Sequence, residues 1–207
     1  MAADLARALL VGRASVEWFR VAHAGASLPP PTPGLCLQER RTPVVPVHRV
    51  ERANEDVGLE VALTRSLRAR PAAAVVHLGV GARGSPNVLW MADRMGSAAV
   101  AVLRSEELLC QRGDLVHSSG RRCETFDDAA RCRQCCAPSN WRRPGTSAFL
   151  GRWDLLFGGL SCAAAVFVPD EADCERLATA GVPRRLLAAP ADAAAIAARL
   201  LGRPAVP

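Results

Sequence analysis

Residues 73–103 read AAVVHLGVGARGSPNVLWMADRMGSAAVAVL and decide the fold of this chain. The segment begins with a continuous apolar run at 73–78 and ends with another at 98–103, each the length of a buried strand. Between them Ser85-Pro86 opens a predicted helix, with serine as the N-cap and proline at the first helical position. This order predicts two parallel strands joined by a helical crossover.

The same alternation continues on both sides of this segment. Leu59, Leu63 and Leu67 recur every four residues and predict a helix before it. The elements predicted after the segment are a helix over 148–162, a strand over 164–168, a helix capped by Asp170, a short strand at Leu186-Leu187 and a helix over 192–201. We therefore expect one α/β domain over residues 1–207, Rossmann-like, with a mostly parallel sheet and helices on both faces.

The N-terminal part of the chain is less regular. Short apolar runs at 8–11, 35–37 and 44–47 predict strands. The segment 27–34 is rich in proline and predicts a loop, because consecutive prolines remove the hydrogen-bond donors that a helix or strand needs.

Composition restricts the possible partners and location of the chain. Hydrophobic residues make up 50% of it and aromatic residues only 4%, so the core must consist mainly of Ala, Val and Leu. The net charge is +6, but the arginines are scattered and no basic run is interleaved with aromatics, so we expect no nucleic-acid partner. We also expect no membrane span and no signal peptide, and therefore a cytoplasmic protein with reduced cysteines.

A cluster of cysteines lies in the middle of the chain. Cys110, Cys123, Cys132 and Cys135 follow the spacing C-x12-C-x8-C-x2-C, and Cys136 is adjacent. The C-x2-C end is typical of metal ligands, because a tight turn of this length points both sulfurs at one ion. The glycine-containing segment between the first two cysteines predicts a hairpin that brings them together.

We predict that these four cysteines bind a structural Zn²⁺ in an insertion over residues 105–145, since a polar insertion of this length has little core of its own. Four sulfur ligands would leave no open position for catalysis. In the alternative, Cys110 is a core residue and the others are free thiols or a redox pair. Cys136 in place of Cys135 is a further alternative. The other cysteines lie in predicted strands or helices and are expected to pack there: Cys36, Cys162 and Cys174.

The cysteine segment, over residues 102–135, resembles a part of glycosyltransferase family 4. In that family a strand is followed by His-Asp, aromatic residues, Cys-Pro-Arg-Gly and further cysteines. Residues 164–183 are similar to the strand, helix cap and Gly-Val-Pro turn near the end of the family's N-terminal domain. The resemblance covers roughly residues 72–190. It implies the acceptor-side half of a GT-B fold, in which a second domain binds the nucleotide-sugar donor.

The chain departs from the family pattern at the positions that would meet the substrate. Arg104 and Ser105 stand where the family has His-Asp, and Glu106 and Glu107 stand where it has aromatics. His77 stands where the family often has a histidine. We predict no catalytic residue. Because ligands bind at the carboxyl ends of the strands in open α/β sheets, Arg104, Glu106 and His77 are the candidate substrate-binding residues.

A glycine-rich loop over residues 79–84 leads into the helix that Ser85 opens. Its amides and the helix N-terminus would favour an anion. Such loops are common in α/β folds, so this signal is unspecific.

Two functions follow from these observations. The chain ends at Pro207, where the family's donor-binding domain would begin, so we expect it to act in glycosyl transfer only with a donor-binding partner chain. The alternative is a pseudoenzyme, a non-catalytic zinc-stabilised binding or scaffold module derived from a glycosyltransferase and docking on another protein. Whether the chain is an enzyme stays open at this point.

Overall fold

The computed structural model of the chain describes residues 4–5, 17–23, 36–42, 57–79, 85–112, 114–124, 128–136, 145–190 and 192–202. The strands predicted at 8–11 and 44–47 and the proline-rich loop at 27–34 lie outside the described residues.

Helices and strands alternate along the described chain. The strands are β1 (Glu17–His23), β2 (Cys36–Thr42), β3 (Ala74–Leu78), β4 (Ala98–Val102), β5 (Ala165–Phe167) and β6 (Leu187–Ala188). The helices are α1 (Val57–Ala69), α2 (Asn87–Arg94), α3 (Ser105–Leu109), α4 (Ala129–Cys136), α5 (Thr146–Ser161), α6 (Glu171–Thr179) and α7 (Ala193–Leu201), and a 3-10 turn spans Arg184–Leu186.

Strands β3, β4, β5 and β6 form one all-parallel sheet in chain order. Val76 lies beside Val100, and Val100 lies beside Ala165. β1 and β2 form a separate parallel pair. β2 confirms the strand predicted around Cys36, whereas β1 is not among the strands that the sequence predicts.

Helices cover both faces of the four-stranded sheet, because alternate residues of each strand point to opposite faces. On one face Ala101 and Val166 pack in the main core with apolar residues of α2, α5 and α6. On the other face Val100 and Phe167 pack against Ile196 of α7. The predicted α/β fold, with a parallel sheet between helices, is therefore confirmed.

Several helix ends follow the sequence signals. Asp170 caps α6 by accepting a hydrogen bond of 2.8 Å from the backbone N–H of Asp173. Gly181, after the end of α6, has a φ of +102°, a conformation that favours glycine. The predicted start and end of this helix are therefore confirmed.

The prediction that Ser85 caps α2 is wrong. Its hydroxyl donates to a carboxylate oxygen of Glu60 in α1, and the Asn87 side-chain amide donates to the same oxygen at 3.0 Å. The carboxylate of Glu60 therefore lies at the N-terminal end of α2, near the positive end of the helix dipole. The side chain of Glu60 thus occupies the N-terminal end of α2, where the sequence predicted that an anion from outside the chain would be favoured.

The cysteines that were expected to pack differ in burial. Cys174 is fully buried in the main core, which confirms the expectation. Cys162 is half-buried directly after α5. Cys36 lies in β2, and its side chain is outside the described part of the structure.

None of the helices in the described residues combines the length and the apolar character that crossing a bilayer requires.

Candidate functional site

The candidate residues after β4 lie where the parallel strands end. Gly79 donates its N–H to the carbonyl of Val102 at 2.7 Å, and Leu103 donates to the carbonyl of Phe167 at 3.1 Å. Arg104 follows directly, and 60% of its side chain is exposed. Arg104 therefore lies at the carboxyl ends of the parallel strands, where open α/β proteins bind ligands.

The structure brings Arg104 and Glu106 together. Nε of Arg104 lies 4.0 Å from Oε2 of Glu106. This Oε2 atom is buried and has no hydrogen-bond partner in the described structure. Buried polar atoms are nearly always hydrogen-bonded in native proteins, so this unsatisfied oxygen marks Glu106 as a candidate ligand contact.

Glu107 and Ser105, the two neighbouring residues that differ from the family pattern, make hydrogen bonds within the domain instead. Glu107 accepts a hydrogen bond of 3.2 Å from the backbone N–H of Arg104 and so closes the start of α3. Ser105 is fully buried, and its hydroxyl donates to Oδ1 of Asp173 at 2.6 Å. Arg176 donates to the same carboxylate. The buried Asp173 thus joins α3 to α6.

Sequence reasoning assigned Asp173 only to the first turn of a helix. The missed signal was its spacing: Asp173 and the apolar Leu177 are four residues apart, so they lie on the same, inward face of α6.

The structure places His77 in the interior of the domain. Its side chain is 8% exposed and hydrogen-bonds the backbone of Ser85. Burial lowers the pKa of His77 to about 4, and the hydrogen bond to Ser85 opposes this shift only in part. The imidazole is therefore neutral at neutral pH and lies beside the start of α2.

The four predicted metal ligands line a single cavity. Its volume is about 20 Å³, and Cys136 and Gln111 are also part of the lining. This volume accommodates one water molecule or one ion. The fold therefore collects into one ion-sized space the cysteines that the sequence singled out: Cys110, Cys123, Cys132 and Cys135.

A hairpin and a helix bring these cysteines together. In the hairpin, Cys123 donates its N–H to the carbonyl of Leu115 at 2.7 Å, and Gly120 has a φ of +81°. This confirms the predicted hairpin. The tight turn predicted at the C-x2-C end is wrong, because Cys132 and Cys135 both lie in α4. Residues three apart share a helix face, so the helix also presents both side chains to one side.

The sulfur atoms do not converge as metal ligands would. In the described ranges, no three His, Cys, Asp or Glu side chains form a group that could hold a metal ion. Sγ of Cys110 lies 3.8 Å from Oδ1 of Asp114, and Sγ of Cys135 lies 3.9 Å from the carbonyl of Val116. The donor set is that of a zinc site, whereas these two thiols are directed at oxygen acceptors.

The thiols around the cavity influence one another electrostatically. Burial, and then the charge of neighbouring Cys123, raises the pKa of Cys132 to about 11. Burial, and then the charge of Cys135, raises the pKa of Cys136 to about 12. As thiolates these sulfurs would repel one another, and a cation among them would remove that repulsion.

Arg152 connects this cavity to α5. Its guanidinium is buried and donates to the carbonyls of Leu108 and Glu107, each at 3.0 Å. These are among the last carbonyls of α3, just before Cys110. Burial lowers the pKa of Arg152 to about 10, and the charge of Cys110 opposes this shift. A buried cation beside the cavity favours thiolates there.

Sequence reasoning missed Arg152, although a signal was present. It is the single basic residue in the apolar segment 148–162, where a buried charge requires partners.

Comparison with protein-family models, with curated proteins and with solved structures finds no match for this chain. The function of the site must therefore be inferred from its own residues and geometry.

Proposed function

We propose that this chain is the acceptor-side domain of a glycosyltransferase similar to family 4 and acts in sugar transfer with a partner chain that binds the nucleotide-sugar donor. The observation that supports this proposal is the position of the cysteine cavity, whose lining begins with Leu109 and Cys110 at the end of the short helix α3 that follows β4. In the enzymes that the sequence resembles, the segment at this position shapes the acceptor cleft.

Arg104 and Glu106 would bind the acceptor in this proposal. The Glu106 carboxylate, whose Oε2 is buried, would have to rotate outward to accept a hydrogen bond from an acceptor hydroxyl, and the exposed guanidinium of Arg104 would donate to a neighbouring oxygen. We assign neither residue a part in bond breaking.

We further propose that Cys110, Cys123, Cys132 and Cys135 bind one structural Zn²⁺. Their shared cavity and the buried Arg152 beside it support this site. Zinc–sulfur bonds are about 2.3 Å long, so the thiols would have to rotate inward to form them. Bound zinc would join the hairpin to α4 and hold the segment that follows Glu106.

Cys135 is a better fourth ligand than Cys136. Cys136 is 7% exposed and packs with Ala129 and Phe149 in a small core between α4 and α5. Cys135 is more exposed, and its thiol has only a long contact of 3.9 Å with a carbonyl to give up.

Metal analysis of protein purified without added metal tests the zinc site. We expect about one zinc per chain. Cys132→Ser should lose the metal, and Cys162→Ser, which changes a thiol outside the cavity, is the matched control that should retain it. Metal-free wild-type protein that is fully folded would overturn the site. If Cys136→Ser loses the zinc and Cys135→Ser keeps it, the fourth ligand is Cys136 and not Cys135.

Transfer assays test the enzymatic proposal. The purified chain is incubated with nucleotide-sugar donors and candidate acceptors, alone and with a donor-binding chain. We expect transfer only with the partner. Arg104→Ala should reduce kcat/KM at least about tenfold, the loss of a charged hydrogen bond. Arg121→Ala, an exposed arginine of the hairpin, is the control. Transfer without a partner, or equal rates for both variants, would contradict the proposal.

A non-catalytic, zinc-stabilised binding or scaffold module is the second candidate function. The observation that favours it is the use of Ser105 and Glu107 inside the fold, together with the burial of His77. These positions therefore serve the stability of the domain. Zinc binding without transfer in the presence of donor-binding partners would favour this function.

A further inference from the structure

We propose that a cleft beside the last strand of the sheet binds a small anion with an apolar body. The cleft lies between β5, β6 and α7 and has a volume of about 450 Å³. Small-molecule sites typically have volumes of about 300–1,000 Å³. The cleft shares no lining residue with the cysteine cavity, so the inference does not depend on zinc or on glycosyl transfer.

The floor of the cleft is apolar because small residues leave space between the sheet and α7. Ala165 and Ala188 contribute from the strands and Ala195 from the helix, and the almost fully buried Phe167 is also among the lining residues. β6 is the last strand in the order of this sheet, so the cleft lies at a sheet edge. An alkyl or aryl group placed here would bury apolar surface, and such burial contributes about 25 cal/mol of favourable binding free energy per Å².

Two arginines give the cleft its charge. Arg185 lies in the 3-10 turn before β6, and Arg199 lies in the last turn of α7. Both are exposed, and neither has a salt-bridge partner in the described chain. The adjacent Arg184, in contrast, pairs with Glu171 and with Glu175. Among the described residues no carboxylate lines the cleft, so the two guanidinium groups are available to an external anion.

The apolar floor and the two arginines together favour a ligand that has both an apolar part and an anionic group. A phosphate monoester with a short alkyl chain would place its phosphate at Arg185 and Arg199 and its chain on the alanine floor. Inorganic phosphate would use only the arginines, and a neutral alcohol would use only the floor. Each of these partial ligands should therefore bind more weakly than the complete one.

Calorimetric titration of the full chain with octyl phosphate, octanol and inorganic phosphate tests the proposal. We expect a single site for octyl phosphate, with a Kd at least about tenfold below that of either partial ligand. Absence of octyl phosphate binding would overturn the proposal. Equal affinity for octanol would also overturn it, since the arginines would then contribute nothing.

Variants locate the site. Changing both arginines, Arg185→Gln with Arg199→Gln, should raise the Kd for octyl phosphate about tenfold or more, whereas Arg184→Gln should leave it unchanged. The control removes a neighbouring charge that does not line the cleft. Ala195→Phe should abolish binding by filling the floor, with its thermal midpoint measured to show that it is folded. Unchanged affinity in the double variant would place octyl phosphate elsewhere and overturn the assignment.

Discussion

The sheet and the cysteine insertion of this domain are stabilised by different means. The sheet buries large apolar side chains on both faces, among them Leu89, Leu156 and Ile196, which are fully inaccessible. In the insertion, α4 buries Ala129 and Cys136 in a small cluster with Phe149 of α5, while Leu108, Leu109 and Leu115 pack in the main core. Apolar burial is the dominant favourable term in folding, and it is concentrated in the sheet. The insertion must therefore obtain more of its stability from polar contacts and, as we propose, from a metal ion.

The two regions meet at α3 and α5. The first half of α5 carries Phe149 and Arg152 towards the insertion, while its second half buries Leu156 and Leu160 in the main core. Leu115 of the hairpin is also buried in the main core and has a φ of +51°. Non-glycine residues rarely adopt this conformation because it is strained. The burial of Leu115 therefore attaches the hairpin to the main core at the cost of some backbone strain.

The largest predicted effect is that of metal removal, which should destabilise the insertion and leave the sheet unchanged. If zinc holds the insertion, a chelator should abolish the hydrogen-exchange protection of amides in the hairpin and α4, because metal binding in such sites contributes on the order of 10 kcal/mol. Amides of β4 and β5 should stay protected, since they lie in the apolar core. Exchange measured by mass spectrometry with and without chelator tests this.

Cysteine variants serve as controls for this measurement. Cys132→Ser should reproduce the chelated pattern without any chelator, and Cys162→Ser should resemble the untreated protein. Protection that persists in the insertion after chelation would show that both regions are stabilised by packing alone.

The second predicted effect acts on the sheet through His77. Its folded pKa of about 4 lies below the ordinary value of 6.5, so the unfolded chain binds more protons between these pH values. The stability from the neutral, buried ring is present in full above about pH 6.5 and is lost as pH falls towards 4. The loss amounts to about 3 kcal/mol.

Urea unfolding of wild type and His77→Leu across this pH range tests the prediction. Any pH dependence that arises from the cysteines is common to both proteins, so the difference between them reports on His77. The variant should lose about 3 kcal/mol less than wild type on acidification. Identical pH dependences of the unfolding free energy would show that His77 takes up its proton at the same pH in the folded and the unfolded chain, and would contradict the lowered pKa.

The elements of the sheet could be predicted from the sequence because local signals decide them. The apolar run of β4, the leucine repeat of α1 and the Asp170 cap of α6 each lie within a few residues of what they determine. Burial of Cys174 followed from its place in an amphipathic helix. Such signals need no knowledge of distant contacts.

The features that could not be predicted depend on distant partners. Ser85 leaves its capping position for Glu60, which lies 25 residues earlier in the chain. The short helix α3 depends on Arg152, 44 residues from the carbonyl of Leu108 that it binds. The spacing of the cysteines predicted a shared site. It could not predict that the thiol of Cys110 is directed at the nearby carboxylate of Asp114.

The smallest predicted effect concerns the contact of α5 with the start of α2. A Cβ atom at Gly159 would lie 2.8 Å from the carbonyl oxygen of Pro86, a backbone atom that cannot move aside. Gly159→Ala should therefore destabilise the domain by about 1–3 kcal/mol through overpacking. Urea unfolding measures the change.

The adjacent glycine is a matched control. A Cβ atom at Gly158 would have no atom of the described residues within 4 Å, so Gly158→Ala should stabilise α5 by about 0.5–1 kcal/mol, the ordinary helix preference of alanine over glycine. Because Gly159 contacts the start of α2 and not the cysteine cavity, the zinc content of both variants should equal that of wild type. Loss of zinc from Gly159→Ala alone would show that the packing of α5 on the sheet layer also determines the geometry of the insertion, and the two regions would then have to be treated as one cooperative unit.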